Sequence, residues 1–162
     1  MYQQCSRISI VLIEPEIPPN TGNIARTCAA TGSELHLVKP LGFSIDDHHL
    51  KRAGLDYWKF VDLIVHDSLE DFLNKYKDRD MYLATTKGKN IYTNVRYERD
   101  AMIVFGKETG GLPRNFIEKN IDRTIKIPMG SNVSLRSLNL ANSVAIVLYE
   151  ALRQLDFPNL YI

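Results

Sequence analysis

The sequence predicts an α/β domain with a mostly parallel sheet flanked by helices. Short runs rich in β-branched residues alternate along the chain with segments of helical pattern, and this alternation is typical of parallel strands connected by helices. The runs are continuously apolar, as in ISIVLI (8–13) and MIVFG (102–106), which indicates strands that are buried on both faces. We therefore expect a central sheet with helices packed against each side.

The individual elements follow in order from these patterns. Strands are predicted at 8–13, 34–38, 62–66, 81–86, 102–106 and 124–127. Helices are predicted at about 21–31, 46–53, 68–76, 113–119 and 139–155. Ser68 with Asp71 resembles a capping box at the start of the third helix, and Pro113 suits the first turn of the fourth.

Composition indicates one globular domain that spans residues 1–162. The chain has 162 residues, of which 44% are hydrophobic, and this is enough to bury a core. Its 20 Lys and Arg against 19 Asp and Glu leave a net charge of +1, so any surface that attracts nucleic acid must be local. The apolar run near the N-terminus ends at Glu14 and is too short for a signal peptide or a membrane span. We therefore expect a cytoplasmic protein without a membrane partner.

Cysteine and histidine residues give no indication of a metal site. Cys5 and Cys28 lack C-x-x-C spacing, which argues against both a zinc site and a disulfide framework. His48 and His49 are adjacent, so on a helix their side chains diverge by about 100°. We interpret them as surface histidines and expect no metal.

Unusual polar loops directly follow four of the predicted strands. They are EPEIPPNTGN (14–23), TTKGK (85–89), GKETGG (106–111) and PMGSNVSLRS (128–137). Ligands of parallel sheets usually bind at the carboxyl ends of the strands, so these loops are the expected binding site. Neither G-x-G-x-x-G nor the P-loop pattern occurs in the sequence, which argues against the classical nucleotide-binding motifs.

Two of these loops have a plain interpretation beside a functional one. In the first, Asn20 or Asn23 can cap a helix that contains Arg26, and taken alone this is a capped helix with one solvated arginine. In GKETGG, the glycines permit a close approach of backbone to a ligand around Glu108. Taken alone, that segment is also compatible with a simple turn.

The predicted helix at 139–155 is apolar on most of its sides. Val144, Leu148 and Ala151 belong to one seam, while Ile146 adds apolar surface elsewhere. Such a helix needs cover on most sides, which favours a second copy of the chain packed in a symmetric dimer. A central core helix within a monomer is the alternative.

Three segments taken together resemble the three motifs of the SPOUT superfamily of RNA methyltransferases. They are NTGNIAR (20–26), FGKETGG (105–111), and IPM (127–129) followed by SLNLANSVAI (137–146). In addition, PLGFSIDDHHLKRAGLDYW (40–58) is similar to a segment of the small TrmL-type tRNA 2'-O-methyltransferases, so the resemblance covers nearly the whole chain. One departure is GSNVSLR (130–136), which is longer than its counterpart in many relatives.

The resemblance implies S-adenosylmethionine as cofactor and a C-terminal trefoil knot, a feature too rare for a sequence pattern to predict. It also implies a homodimer with each active site at the interface, and a single domain without an appended RNA-binding domain. The implied reaction transfers a methyl group to the ribose 2'-hydroxyl of the wobble nucleotide, cytidine or uridine, in leucine tRNA anticodons. Alternatives are a 2'-O-methyltransferase for another tRNA position or for ribosomal RNA, and a non-catalytic dimer that binds RNA or cofactor.

The resemblance further implies roles for individual residues. The catalytic candidates are Asn20, Arg26, Glu108, Ser137 and Asn139. The cofactor-binding candidates are Ala84, Thr85, Gly106, Glu108, Gly111, Ile127, Met129, Ser137 and Leu138. The candidates for contacts with tRNA phosphates are Lys51, Arg52, Lys87, Lys89, Arg114 and Arg136. Arg26 is expected to reach the partner's site and to orient the substrate, because a guanidinium stays protonated in proteins; the proton acceptor is left open.

Overall fold

In a computed structural model, the chain folds around a seven-stranded parallel sheet. The structure describes residues 7–46, 48, 52, 55–132 and 134–162. The strands in those ranges are β1 (Ser9–Ile13), β2 (Glu34–Val38), β3 (Leu63–His66), β4 (Met81–Ala84), β5 (Asn90–Ile91), β6 (Met102–Phe105) and β7 (Thr124–Lys126). They are arranged in the order β3-β2-β1-β6-β4-β7-β5, and all of these pairings are parallel. The predicted α/β class with a mostly parallel sheet is confirmed.

The helices cover the sheet on both faces. They are α1 (Pro18–Thr31), α2 (Leu69–Lys75), α3 (Arg114–Lys119) and α4 (Leu140–Gln154), with 3-10 turns at Leu55–Phe60 and Ile121–Arg123. The helix predicted at about 21–31 begins earlier, at Pro18, because proline fits the first turn of a helix. The helix predicted at about 46–53 falls mostly outside the described residues.

The continuous apolar runs of the strands divide between two cores. Ile10 and Leu12 of β1 belong to the core beneath α1 and α4. Val11 and Ile13 of the same strand belong to the core beneath α2 and α3. Successive side chains of a strand point to opposite faces, so a strand covered by helices on both sides has no face that is exposed to solvent. This is the physical reason why the runs do not alternate.

A buried histidine pair lies within the sheet, on the side of α2. His36 of β2 and His66 of β3 are 0% and 6% exposed, and His36 Nδ1 lies 3.0 Å from His66 Nε2. His36 Nε2 lies 3.4 Å from the Glu34 carboxylate, and this contact lowers the pKa of Glu34 to about 2. Burial, followed by the charge of His36, lowers the pKa of His66 from 6.5 to about 4.

Because of His66, the protein is expected to lose stability as the pH falls from about 6.5 to about 4. The folded-state pKa of His66 lies below its unfolded value, so the unfolded chain takes up the proton first and is favoured in this range. We expect the free energy of unfolding to fall by on the order of 1–2 kcal/mol between pH 7 and pH 5. Urea denaturation at each pH measures it.

The comparison is His66→Gln against the parent protein, because glutamine keeps a polar side chain but has no titrating ring. His66→Gln should flatten the pH dependence of the free energy of unfolding between pH 6.5 and pH 4. Equal slopes in the variant and the parent protein would contradict the assignment.

Candidate active site

Loops that follow four neighbouring strands enclose a cavity at the carboxyl edge of the sheet. The strands β1, β6, β4 and β7 are consecutive in the sheet, and their pairings are parallel. The loops after them therefore emerge side by side. The cavity measures about 950 Å³, which lies in the usual size range of sites for small organic ligands.

Backbone forms one wall of the cavity because two stretches of chain touch at a glycine. A Cβ atom at Gly106 would lie 2.0 Å from the carbonyl carbon of Gly111 and 2.2 Å from the nitrogen of Leu112. The Gly111 N–H closes the turn by donating to the carbonyl of Lys107 (2.8 Å). Gly111 has φ +63°, in the left-handed region that favours glycine. Neither position can take a side chain without strain, so backbone faces the ligand space here.

The Glu108 carboxylate ties this turn to the start of α1. It accepts hydrogen bonds from the N–H groups of Glu16 (2.8 Å) and Ile17 (3.0 Å) and from the side-chain amide of Asn20 (3.2 Å). Ile17 is the N-cap of α1, and N–H groups at a helix start lack partners within the helix. Glu108 supplies that missing acceptor from a different loop.

Asn20 and Asn139 join the starts of two helices across the cavity. Asn139 Nδ2 donates to Asn20 Oδ1 (3.0 Å). Asn139 Oδ1 accepts from the Asn142 N–H (3.2 Å) and so caps α4. Asn20 is 8% exposed, so its side chain is held by protein contacts rather than by water. A chain of hydrogen bonds therefore runs from Glu108 through Asn20 to the first turn of α4.

The structure brings most of the predicted site residues together. All nine cofactor-binding candidates line the cavity, and so do Asn20, Glu108, Ser137 and Asn139 of the catalytic candidates. Of the candidates for phosphate contacts, Lys87, Arg114 and Arg136 line it. Arg52 is exposed and Lys89 pairs with Asp122, while Lys51 lies outside the described residues. The roles of all these residues stay predictions.

Arg26 lies apart from the cavity of its own chain. It is exposed on α1, and its guanidinium carbon lies 4.8 Å from the centroid of the Tyr57 ring, within the range of a cation–π contact. Its side chain stands on the solvent side of the helix, while Asn20 on the first turn of the same helix faces the cavity. Asn20 therefore faces the cavity of its own chain, whereas Arg26 lies at the surface beside Tyr57.

Sequence reasoning missed Glu16 and Thr109. The Glu16 carboxylate accepts from the Thr109 N–H (3.0 Å) and from Thr109 Oγ1 (2.8 Å). The partners are 93 residues apart in sequence, so no local pattern links them. The only signal available was the carboxylate of Glu16 in EPEIPPN, close to a loop already expected to bind ligand.

The site offers amides, carboxylates, hydroxyls and guanidinium groups. Within the described ranges, no cluster of three or more His, Cys, Asp or Glu residues could hold a metal ion. Within the described part of the chain, no helix combines the length and the apolar character that a membrane span requires. The amides, carboxylates, hydroxyls and guanidinium groups at the site suit the orientation of a polar substrate and the binding of an organic cofactor.

A parallel sheet with a glycine-walled, polar cavity at its carboxyl edge is the arrangement of an α/β enzyme that binds an organic cofactor. The chain belongs to the SpoU rRNA Methylase family, which matches it over residues 7–149.

Individual relatives agree with this assignment over nearly the whole chain. A tRNA (cytidine(34)-2'-O)-methyltransferase of Methylovorus glucosotrophus is 49% identical over 149 residues, which cover 91% of this chain and 96% of that protein. A crystal structure of a Bacillus anthracis protein has a TM-score of 0.88 at 53% identity and covers 96% of this chain and 98% of that one. A solved structure concerned with the 2-OH methylation of C/U34 on tRNA has a TM-score of 0.85 at 44% identity, with coverage of 93% and 97%.

Proposed function

We propose that this protein transfers a methyl group from S-adenosylmethionine to the ribose 2'-hydroxyl of the wobble nucleotide, cytidine or uridine, in tRNA, with leucine tRNAs as substrates. The observation that carries the proposal is that residues of all three motif segments line one cavity. The relative from Methylovorus, named for this reaction on cytidine 34, is similar over nearly its full length. We place the reaction in the cytoplasm and assign it to a single domain.

The wall of the cavity fits the cofactor. A Cβ atom at Gly106 would collide with backbone, so the main chain there stays bare and its polar groups can meet a nucleoside edge. Ile127 and Met129 would supply apolar contact from the opposite loop, and both line the same cavity. When bound, S-adenosylmethionine supplies the electrophilic methyl group. The protein's part is to bind the cofactor and to orient the ribose toward it.

Residues at the start of α4 would orient the ribose. Ser137 and Asn139 line the cavity, and Asn139 is fixed by its bonds to Asn20 and to the first turn of α4. A fixed amide loses little entropy when it binds a hydroxyl. In a transfer reaction that needs no metal, such positioning supplies much of the rate enhancement. We assign no residue as proton acceptor.

Exposed apolar side chains support a homodimer with each active site at the interface. Ile146 and Tyr149 of α4 are 37% and 46% exposed, and Ile17 and Leu138 at the cavity are 43% and 42% exposed. Ile146 and Tyr149 are three residues apart and so lie on one face of α4, and exposed apolar side chains on one face are typical of an interaction surface. In such a dimer, Arg26 would complete the partner's cavity. The C-terminal trefoil knot belongs to the same proposal, and the family assignment supports it.

Methyl transfer to defined tRNAs tests the proposal. The protein with labelled S-adenosylmethionine should methylate an unmodified leucine tRNA, and nucleoside mass spectrometry should place the methyl group on nucleotide 34. The matched control is the same tRNA with a 2'-deoxyribose at that nucleotide, which should accept no label. Methyl groups at another position or on ribosomal RNA would favour the alternative targets. Cofactor binding without transfer to any RNA would favour a non-catalytic binder.

Arg136→Ala is expected to weaken tRNA binding with little dependence on tRNA sequence. Arg136 is exposed at the cavity mouth, where a phosphate contact releases counterions. Its loss should reduce the slope of log affinity against log salt by about 1. Filter binding at several salt concentrations measures this slope. Lys75→Ala, on α2, is the charge-matched control and should leave it unchanged; equal slopes for both variants would contradict the contact.

A further inference from the structure

Two glutamates form a reciprocal clasp between the loop after β1 and the turn after β6. The Glu108 carboxylate accepts from the backbone of Glu16 and Ile17, while the Glu16 carboxylate accepts from the N–H and hydroxyl of Thr109. Each loop thus contributes a carboxylate to the other loop's donors. We call Glu16, Glu108 and Thr109 the glutamate clasp.

The backbone of Glu16 is fixed from its other side as well. A Cβ atom at Gly42 would lie 2.7 Å from the Glu16 Cα atom, and the Gly42 N–H donates to the carbonyl of Pro15 (2.9 Å). The segment before α1 is therefore enclosed between the chain at Gly42 and the turn after β6. A carboxylate on so constrained a backbone can set the position of its partner.

Hydrogen-bond donors and a neighbouring lysine stabilise the negative charge of the glutamate clasp. Hydrogen bonds from the side chain and backbone of Thr109 lower the pKa of Glu16 below its usual 4.5, so the carboxylate remains an acceptor at neutral pH. Lys107 Nζ lies 3.4 Å from the Glu14 carboxylate, and its positive charge partly offsets the negative charges of the neighbouring carboxylates.

The clasp is one step from the residues that face the substrate. Glu108 also accepts from Asn20, and Asn20 accepts from Asn139. Ile17 and Thr109 line the cavity, whereas Glu16 acts from behind them. A shift of the Thr109 turn would move the Glu108 carboxylate, and with it the orientation of both asparagine amides.

We propose that Glu16 is a positioning residue for methyl transfer, which holds the Thr109 turn so that Glu108 orients Asn20 and Asn139. This inference rests on the proposed function. Cofactor binding should depend little on it, because the wall at Gly106 is set by backbone packing and the Gly111 turn has its own hydrogen bond to Lys107. The rate of transfer should depend on it strongly.

Glu16→Gln tests the proposal, because the amide keeps the shape of the side chain but replaces one acceptor oxygen by a donor. We expect kcat to fall about tenfold or more while the Kd for S-adenosylmethionine changes less than about threefold. Glu14→Gln is the matched control, with the same substitution two residues away on the same loop, and should keep the parent kcat. If both residues act through one contact, the double variant Thr109→Val, Glu16→Gln should have a kcat no lower than that of the more impaired single variant.

A second measurement separates this inference from the proposed function. The side-chain amide signals of Asn20 and Asn139 in NMR spectra should shift and exchange faster in Glu16→Gln but not in Glu14→Gln. Unmoved signals, or a kcat within twofold of the parent, would overturn the positioning role. If the parent protein methylates no RNA, the proposed function fails, and the amide signals still decide whether Glu16 orients the two asparagines.

Discussion

Arg26→Ala is expected to abolish methyl transfer, a loss of about a thousandfold or more, while folding, dimer formation and cofactor binding persist. Arg26 is exposed on α1 and contacts the Tyr57 ring, so its removal leaves the cavity of its own chain intact. If it orients the substrate in the partner's cavity, the loss concerns the transfer step. Single-turnover methylation of leucine tRNA measures it, with sedimentation and calorimetry to follow the dimer and the cofactor.

Mixed dimers decide which subunit's cavity Arg26 serves. Arg26→Ala subunits retain an intact cavity, and Asn139→Ala subunits retain Arg26. If Arg26 acts across the interface, a mixed dimer has one site with both groups, and an equal mixture should recover about a quarter of the parent activity by random pairing. If Arg26 served its own chain, every site in the mixture would lack one group and the mixture would stay inactive.

Gly106→Ala is expected to weaken S-adenosylmethionine binding by about a hundredfold or more and to destabilise the fold by about 3 kcal/mol. The new methyl group would meet the backbone of Gly111 and Leu112 at 2.0 and 2.2 Å, and backbone cannot swing aside as a flexible side chain can. The turn that borders the cavity must therefore move, and the wall that would face the cofactor changes shape. Calorimetric titration and thermal unfolding with and without cofactor measure the two effects.

Gly130→Ala is the control for the same chemical change. No heavy atom of the described residues lies within 4 Å of a Cβ atom built there, so neither stability nor cofactor affinity should change appreciably. Normal cofactor binding by Gly106→Ala would show that the contact with Gly111 is not needed to shape the wall.

The sheet was largely predictable because burial on both faces leaves a strong local signal. All six predicted strands form, since runs such as ISIVLI cannot be placed at a surface. The seventh, β5, was missed because Asn90–Ile91 is two residues long, too short for any pattern. Its partner is β7, so this strand exists only once the sheet has formed.

The candidate site was predictable as a set of loops and not as a set of contacts. The loops that contain Asn20, Glu108 and Asn139 follow predicted strands, and parallel strands bring their carboxyl ends to one edge. The bonds between these residues span 88 and 119 positions. Which side chain meets which depends on the order of β1, β6 and β4 in the sheet, and local sequence does not determine that order.

By itself, the sequence determined the fold class, the loops that form the cavity, and the motif residues within them, because burial and motif spacing act over a few neighbouring residues. The tertiary structure alone decided that Arg26 stands away from its own cavity and that Lys89 pairs with Asp122. It also decided that Glu16 meets Thr109 and that His36 meets His66. These pairings join separate strands and loops, and their geometry is set by how the whole sheet packs.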